Sequence, residues 1–151
     1  MTVTINYKKE TKKKSSNLVL FVDENFKISN LKKYLSSSEH SFISDLMTIT
    51  NKKKEVVAYD ISSKKKIILI ALKKKMTSSV AESLGAKFYD SFKNLKQSHI
   101  NLNSDSAQNT ISNFVGHFLH GIKLKSYTFD KYKSKREKKS IFIEVLGKNI
   151  P

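Results

Sequence analysis

Ile67-Ile68-Leu69-Ile70-Ala71-Leu72 is a run without a single polar side chain. Successive side chains of a strand point to opposite faces, so a strand of this kind has to be covered on both sides. The run falls well short of the roughly 18–20 apolar residues needed to span a membrane. Bounded by Lys64–Lys66 and Lys73–Lys75, it reads as the central strand of a layered α/β fold. Leu18 to Val22 is a second continuous apolar run, ended by Asp23 to Asn25.

The remaining elements arrange themselves around these two. Val3, Ile5 and Tyr7 share one side of an extended segment, so residues 2–7 read as a strand, with a charged turn from Lys8 to Ser16. Residues 29–37 and 39–49 read as two short helices joined around Ser36 to Ser38, and Asn51 to Lys54 as a turn. Glu55 to Ile61 pairs with Lys66 to Leu72 as an antiparallel hairpin around Ser62 to Lys65. Ser79 and Glu82 have the spacing of a capping box, followed at helical intervals by Val80, Leu84, Phe88, Phe92 and Leu95. Gly85 weakens this helix, a cost that close packing would explain. His99 to Asn103 is a short strand. Asp105 or Ser106 caps a helix with the stripe Ala107, Ile111, Phe114, Val115, Phe118, Leu119 and Ile122, for which Gly121 is the expected stop. Ser140 to Leu146 is a further strand with apolar residues on both faces, and Gly147 to Pro151 a tail. The expectation is one domain over residues 1–151, a mixed sheet of about six strands between helices.

Composition narrows function more by exclusion than by indication. The chain contains no cysteine, which removes disulfides, thiolate metal sites and thiol nucleophiles. With four glycines in 151 residues it has no Gly-x-Gly-x-x-Gly or Walker-type phosphate loop, and no Gly-x-Ser-x-Gly elbow. The 13 acidic residues are scattered and nominate no catalytic or metal-binding set. His117 and His120 stand three apart on a helix, a spacing metal pairs use, but no third ligand accompanies them. No catalytic, cofactor-binding or metal-ligating residue is therefore named. Residues Met1 to Tyr7 lack the pattern of a secretory signal, and the reading is a cytoplasmic protein without a membrane segment.

The net charge is +16 and almost wholly lysine, Arg136 being the only arginine. Lysine is a flexible point charge, whereas arginine is the better reader of phosphates and base edges. Two causes would produce such a charge: selection for a polyanionic partner such as nucleic acid, or a coding bias that also enriches Asn, Ile and Ser; the second is the simpler expectation, because a specific nucleic-acid-binding module would carry more arginine. In the segment from Phe118 to Lys135, Tyr127, Phe129 and Tyr132 alternate with lysines. They read either as stacking platforms in a basic groove or as anchors of an irregular loop, the second being the simpler expectation.

The same segment resembles the close of the amino-terminal domain in the leucyl (cytosol) aminopeptidase family. The matching residues are Gly121, Tyr127, Phe129, Asp130, Tyr132 and Lys133, followed by the strand Ile141 to Leu146. The motif is specific over about residues 114–135, and the order of elements agrees along the chain. The departures are His120, where the family has glutamate, and the lysines after Leu72, where it has a glycine-containing turn. The resemblance implies a macro-domain-like three-layer α/β/α fold. It also implies a non-catalytic accessory role, since the carboxy-terminal domain with its Asn-Thr-Asp-Ala-Glu-Gly-Arg signature and two zinc or manganese ions is absent from the chain. The expected partners are that catalytic domain and the subunits of a hexamer, with non-specific DNA as a further possibility through the lysine-rich surface. A third reading rests on fold analogy alone: a macro-like domain that binds ADP-ribose.

Overall fold

The computed structural model describes residues 2–8, 17–26, 28, 31–32, 34–48, 55–61, 66–73, 75–92, 99–107, 111, 113–132 and 140–147. The turns expected at 9–16 and 51–54 and the tail beyond Gly147 lie outside these residues.

Six strands form one sheet: β1 (Thr2–Lys8), β2 (Asn17–Asp23), β3 (Val56–Asp60), β4 (Lys66–Leu72), β5 (His99–Asn103) and β6 (Ser140–Leu146). Their order is β1-β6-β5-β2-β4-β3. All neighbours run parallel except β3, which lies antiparallel to β4 on the outer edge. Three helices complete the described fold: α1 (Ser37–Met47), α2 (Ser78–Phe92) and α3 (Phe114–Tyr132).

The two strands with continuous apolar runs, Leu18–Val22 of β2 and Ile67–Leu72 of β4, are neighbours in the sheet, and their alternation splits the core in two. Val19 and Phe21 of β2 and Ile68, Ile70 and Leu72 of β4 enter one cluster, with Ala81, Leu84, Phe88 and Tyr89 of α2 and Phe114, Val115, Phe118, Leu119 and Ile122 of α3. Leu20 and Val22 of β2 and Ile67, Leu69 and Ala71 of β4 enter the other, under Ile43 of α1 with Leu31 and Leu35. The absence of polar positions from Ile67 to Leu72 is thus the direct consequence of covering on both sides.

Helix boundaries depart from the sequence expectations where caps compete. Of the segment 29–37, the described residues before Ser37 form turns and no α-helix, with Tyr34 N–H donating to the Leu31 carbonyl at 2.9 Å. Ser36 then caps α1. Its hydroxyl accepts from Glu39 N–H at 3.2 Å and Glu39 Oε1 accepts from Ser36 N–H at 3.0 Å, a reciprocal box that restarts the chain as a new helix. In α2 the cap is Thr77, whose Oγ1 accepts from Val80 N–H at 3.1 Å, not the expected Ser79. Glu82 is thereby released from capping and meets His120 Nδ1 at 3.1 Å across the helix pair.

The largest departure is α3. Asp105 and Ser106 do not cap it; they belong to a separate 3-10 turn, Ser104–Ser106. Helix α3 begins at Phe114 after Asn113, which adopts the left-handed conformation (φ 57) that asparagine tolerates better than most residues. Gly121 does not stop it. A Cβ at Gly121 would stand 2.0 Å from the Glu82 carbonyl oxygen, and one at Gly85 would stand 2.1 Å from that of Phe118. The two glycines therefore let α2 and α3 cross backbone to backbone, which confirms the packing role expected of Gly85. The segment expected as an irregular loop is helical to Tyr132, and Tyr127 is 80% exposed, not anchored on the core.

One charged group ties the sheet edge to the helices. Partial burial raises the pKa of Glu55, but hydrogen bonds and charges from Lys87 (3.0 Å) and Lys73 (3.3 Å) outweigh it, so the carboxyl titrates below its ordinary value.

Candidate functional site

In an open α/β sheet, ligands bind outside the carboxyl ends of the strands where the connections diverge to opposite sides. Here that point lies between β2 and β5. The chain leaves β2 through α1 toward β4 and β3, on one face of the sheet. It leaves β5 through α3 toward β6, on the other.

The two strands also part there. β2 stays paired with β4 as far as Asp23 opposite Leu72, and β5 with β6 as far as Asn103 opposite Leu146. Between β2 and β5, however, the register extends only over Leu18–Asn101 and Val19–Leu102. Beyond it the Ser104–Ser106 turn folds back over the gap. Phe21 N–H donates to Ser106 Oγ at 2.9 Å, and that hydroxyl donates to the Asn103 carbonyl at 2.7 Å. Ser106 N–H donates to Asn103 Oδ1 at 3.0 Å, while Ser104 Oγ donates to the Leu146 carbonyl at 3.0 Å. The turn is therefore fixed to β2 on one side and β6 on the other. Gly147 (φ 133) lies against it, where a Cβ would stand 2.6 Å from Ser104 Oγ and 2.8 Å from the Asp105 carboxylate. Ser106→Ala should leave the buried Phe21 N–H without an acceptor and cost about 1–3 kcal/mol. A lowered urea midpoint together with faster hydrogen exchange at Phe21 is the expected result, and an unchanged midpoint would refute the strut.

The opposite rim is the turn after β2. Phe26 N–H donates to the Asp23 carbonyl at 3.0 Å, and Asn25 N–H to Asp23 Oδ1 at 3.1 Å. Phe26 takes a left-handed conformation (φ 57) with its ring buried in the α1-side core. That conformation is unfavourable for a bulky residue and persists only where packing imposes it. The buried ring leaves Asp23, Glu24 and Asn25 exposed at the sheet edge. The chemistry gathered there is carboxylate and carboxamide: Asp23, Glu24 and Asn25 on one strand end, Asn103 and Asp105 on the next. Such groups suit the hydroxyls of a sugar and the amino group of a base.

Phosphate would have to be met differently. No glycine stands in the loops after β2, β4 or β5, so no backbone cradle of that kind exists. The amino ends of α2 and α3 both lie at this edge and carry the positive end of their dipoles. Lys75 is exposed just ahead of α2.

The sequence nominated none of these residues. Asp23 to Asn25 read as a strand terminator and Asp105 and Ser106 as a helix cap. The legible signal was a doubly buried strand ending in Asp-Glu-Asn, the place where an α/β sheet exposes its chemistry. His117 lies in the first turn of α3 and His120 one turn further on, against Glu82 of α2, and among the described residues no group of three or more His, Asp or Glu is placed to hold a metal. No described helix is long and apolar enough to cross a membrane.

The strand order, the single antiparallel edge and the helices on both faces make this a macro-like α/β/α fold. Among solved structures the chain is similar to the macrodomain of Thermus aquaticus DarG, with a TM-score of 0.58 and 10% sequence identity over 95% of this chain and 98% of that one. No protein-family model and no curated protein sequence matches it. These findings correct the aminopeptidase reading: the fold likeness found is to a macrodomain, and nothing supports an accessory domain of a metallopeptidase. The segment that suggested it has a simpler account. Gly121 is required by the α2–α3 crossing, and the aromatic spacing from Tyr127 onward lies on the continuation of a regular helix.

Proposed function

We propose that this chain is a ligand-binding module of macro-like fold that takes ADP-ribose, or a nucleotide close to it, at the carboxyl ends of β2 and β5, over the Ser104–Ser106 turn that bridges the gap between them. The observation that carries the proposal is the parting of these strands beyond Val19 and Leu102 at the point where the connections diverge. A sugar's hydroxyls would be met by Asp23 and its neighbours at the end of β2. The phosphates would be met by the amino end of α3 and by Lys75, since no glycine loop serves them. An anion held by a helix end and a mobile lysine is bound less tightly than one enclosed by a rigid backbone nest, so weak affinity is expected.

Isothermal titration of the chain with ADP-ribose should give saturable heat, and AMP should bind more weakly. Asp23→Asn keeps a side-chain oxygen for the Asn25 N–H but removes the charge. It should lower affinity by about tenfold, the scale of one charge-assisted hydrogen bond. Absence of heat with ADP-ribose at millimolar concentration would sink the reading.

A further inference from the structure

The turn that follows β2 is tied to a helix by one polar side chain. Inside the turn, Phe26 N–H and Asn25 N–H both bond back to Asp23. Those bonds close the turn without fixing where it stands over the sheet edge. Just beyond it, the Ile28 carbonyl accepts from Leu31 N–H at 2.9 Å and lies 3.1 Å from His40 Nε2 of α1. A carbonyl oxygen only accepts, so Nε2 carries the proton and donates it. His40 is the polar member of the inward stripe of α1, three residues before Ile43 and seven before Met47, both of which pack in the α1-side core. The helix that carries it is pinned at both ends. The Ser36–Glu39 box holds the start, and Tyr59 OH donates to the Met47 sulfur at 3.0 Å at the finish.

We infer that His40 is a positioning residue for the rim of Asp23, Glu24 and Asn25. By holding the Ile28 carbonyl from α1 it sets the turn, and with it those three side chains, in the geometry a ligand meets. The inference rests on the nucleotide-binding reading above. Phe26 at φ 57 is a conformation that a bulky residue keeps only under constraint. Burial of its ring supplies part of that constraint, but packing is non-directional. The hydrogen bond from His40 supplies a direction. A metal-ligating role fits less well, because among the described residues no group of three or more His, Asp or Glu is placed to hold a metal.

Three variants separate position from packing. His40→Phe keeps a ring and removes the donor. His40→Gln removes the ring and keeps an N–H donor at the reach of Nε2. Ser41→Ala changes an exposed neighbour on the same helix. In isothermal titration with ADP-ribose, His40→Phe should bind about fivefold more weakly, as the fraction of molecules with a competent rim falls. His40→Gln and Ser41→Ala should bind as the unaltered chain does. Amide hydrogen exchange at Phe26 should quicken by a similar factor in His40→Phe alone. The unfolding midpoint should barely move, since the Ile28 carbonyl keeps its bond from Leu31. Unchanged affinity and exchange in His40→Phe overturn the inference. So does a loss in His40→Gln as large as that in His40→Phe, which would make the residue a packing element. If the unaltered chain gives no heat with ADP-ribose, the nucleotide reading falls by itself, and the exchange rates at Phe26 still decide whether His40 holds the rim.

Discussion

Phe118→Ala is expected to lower stability by about 3–5 kcal/mol, the largest effect of any single truncation in the described core. The ring is fully buried and lies at the meeting point of three others: Phe21 at 5.3 Å, Phe88 at 5.6 Å and Phe114 at 6.0 Å between centroids. Phe21 meets it edge to face, as it also meets Phe114 at 5.2 Å, the arrangement that aromatic quadrupoles favour. Because Phe21 comes from β2, Phe88 from α2 and Phe114 from the start of α3, no one neighbour can collapse into the space without leaving another unsupported. Chemical denaturation should show the loss as a lower midpoint with an unchanged slope. A loss below about 1.5 kcal/mol would mean that the cluster relaxes freely and does not act as a packed unit.

Gly85→Ala carries the second large expectation, and its sign opposes helix propensity. In an exposed helix the change would stabilise by about 0.5–1 kcal/mol. Here the new methyl would stand 2.1 Å from the Phe118 carbonyl oxygen, a backbone atom of α3 that no rotamer change can move. The helices must separate, and overpacking of this kind costs about 1–3 kcal/mol or more. A net loss of about 2 kcal/mol is expected, with a fall in Tm of roughly 4–8 °C for a domain of this size. Gly121→Ala should behave alike, since its methyl would meet the Glu82 carbonyl from the other side. The double variant should lose less than the sum of the two, because a single separation relieves both clashes. A stabilised Gly85→Ala would show that the crossing is looser than described.

The sheet was readable in the sequence because its strands announce themselves by burial. Ile67 to Leu72 could be nothing but a central strand, and its partner across the hairpin followed from spacing. Helix starts were less readable, since Thr77, Ser78 and Ser79 offer nearly equivalent caps and the winner is decided by packing. Gly121 misled for a related reason. A glycine near the end of an apolar stripe resembles a helix stop, and only the neighbouring Gly85 on α2, brought opposite by the fold, reveals it as a crossing point. The cluster at the strand ends was invisible for a stronger reason. Asp23 lies far along the chain from Asn103 and Ser106, and the three acquire a joint meaning only from strand order. The same limit let a local motif on α3 suggest a family that the fold comparison does not support.

The sheet order has a consequence for how the molecule is made. β1 pairs with β6 in parallel over its whole length, from Thr2 opposite Ser140 to Lys8 opposite Leu146. On a ribosome the first strand therefore emerges long before the only described strand that can hold it. The hairpin of β3 and β4, together with β2 and α1, can condense meanwhile from nearby contacts, whereas β1 has to wait as an unclaimed edge. Closing so long a loop is slow, and an unclaimed edge is open to strangers in the interval. The polar residues that alternate along it, Thr4 and Asn6 among them, make that edge a poor template for aggregation.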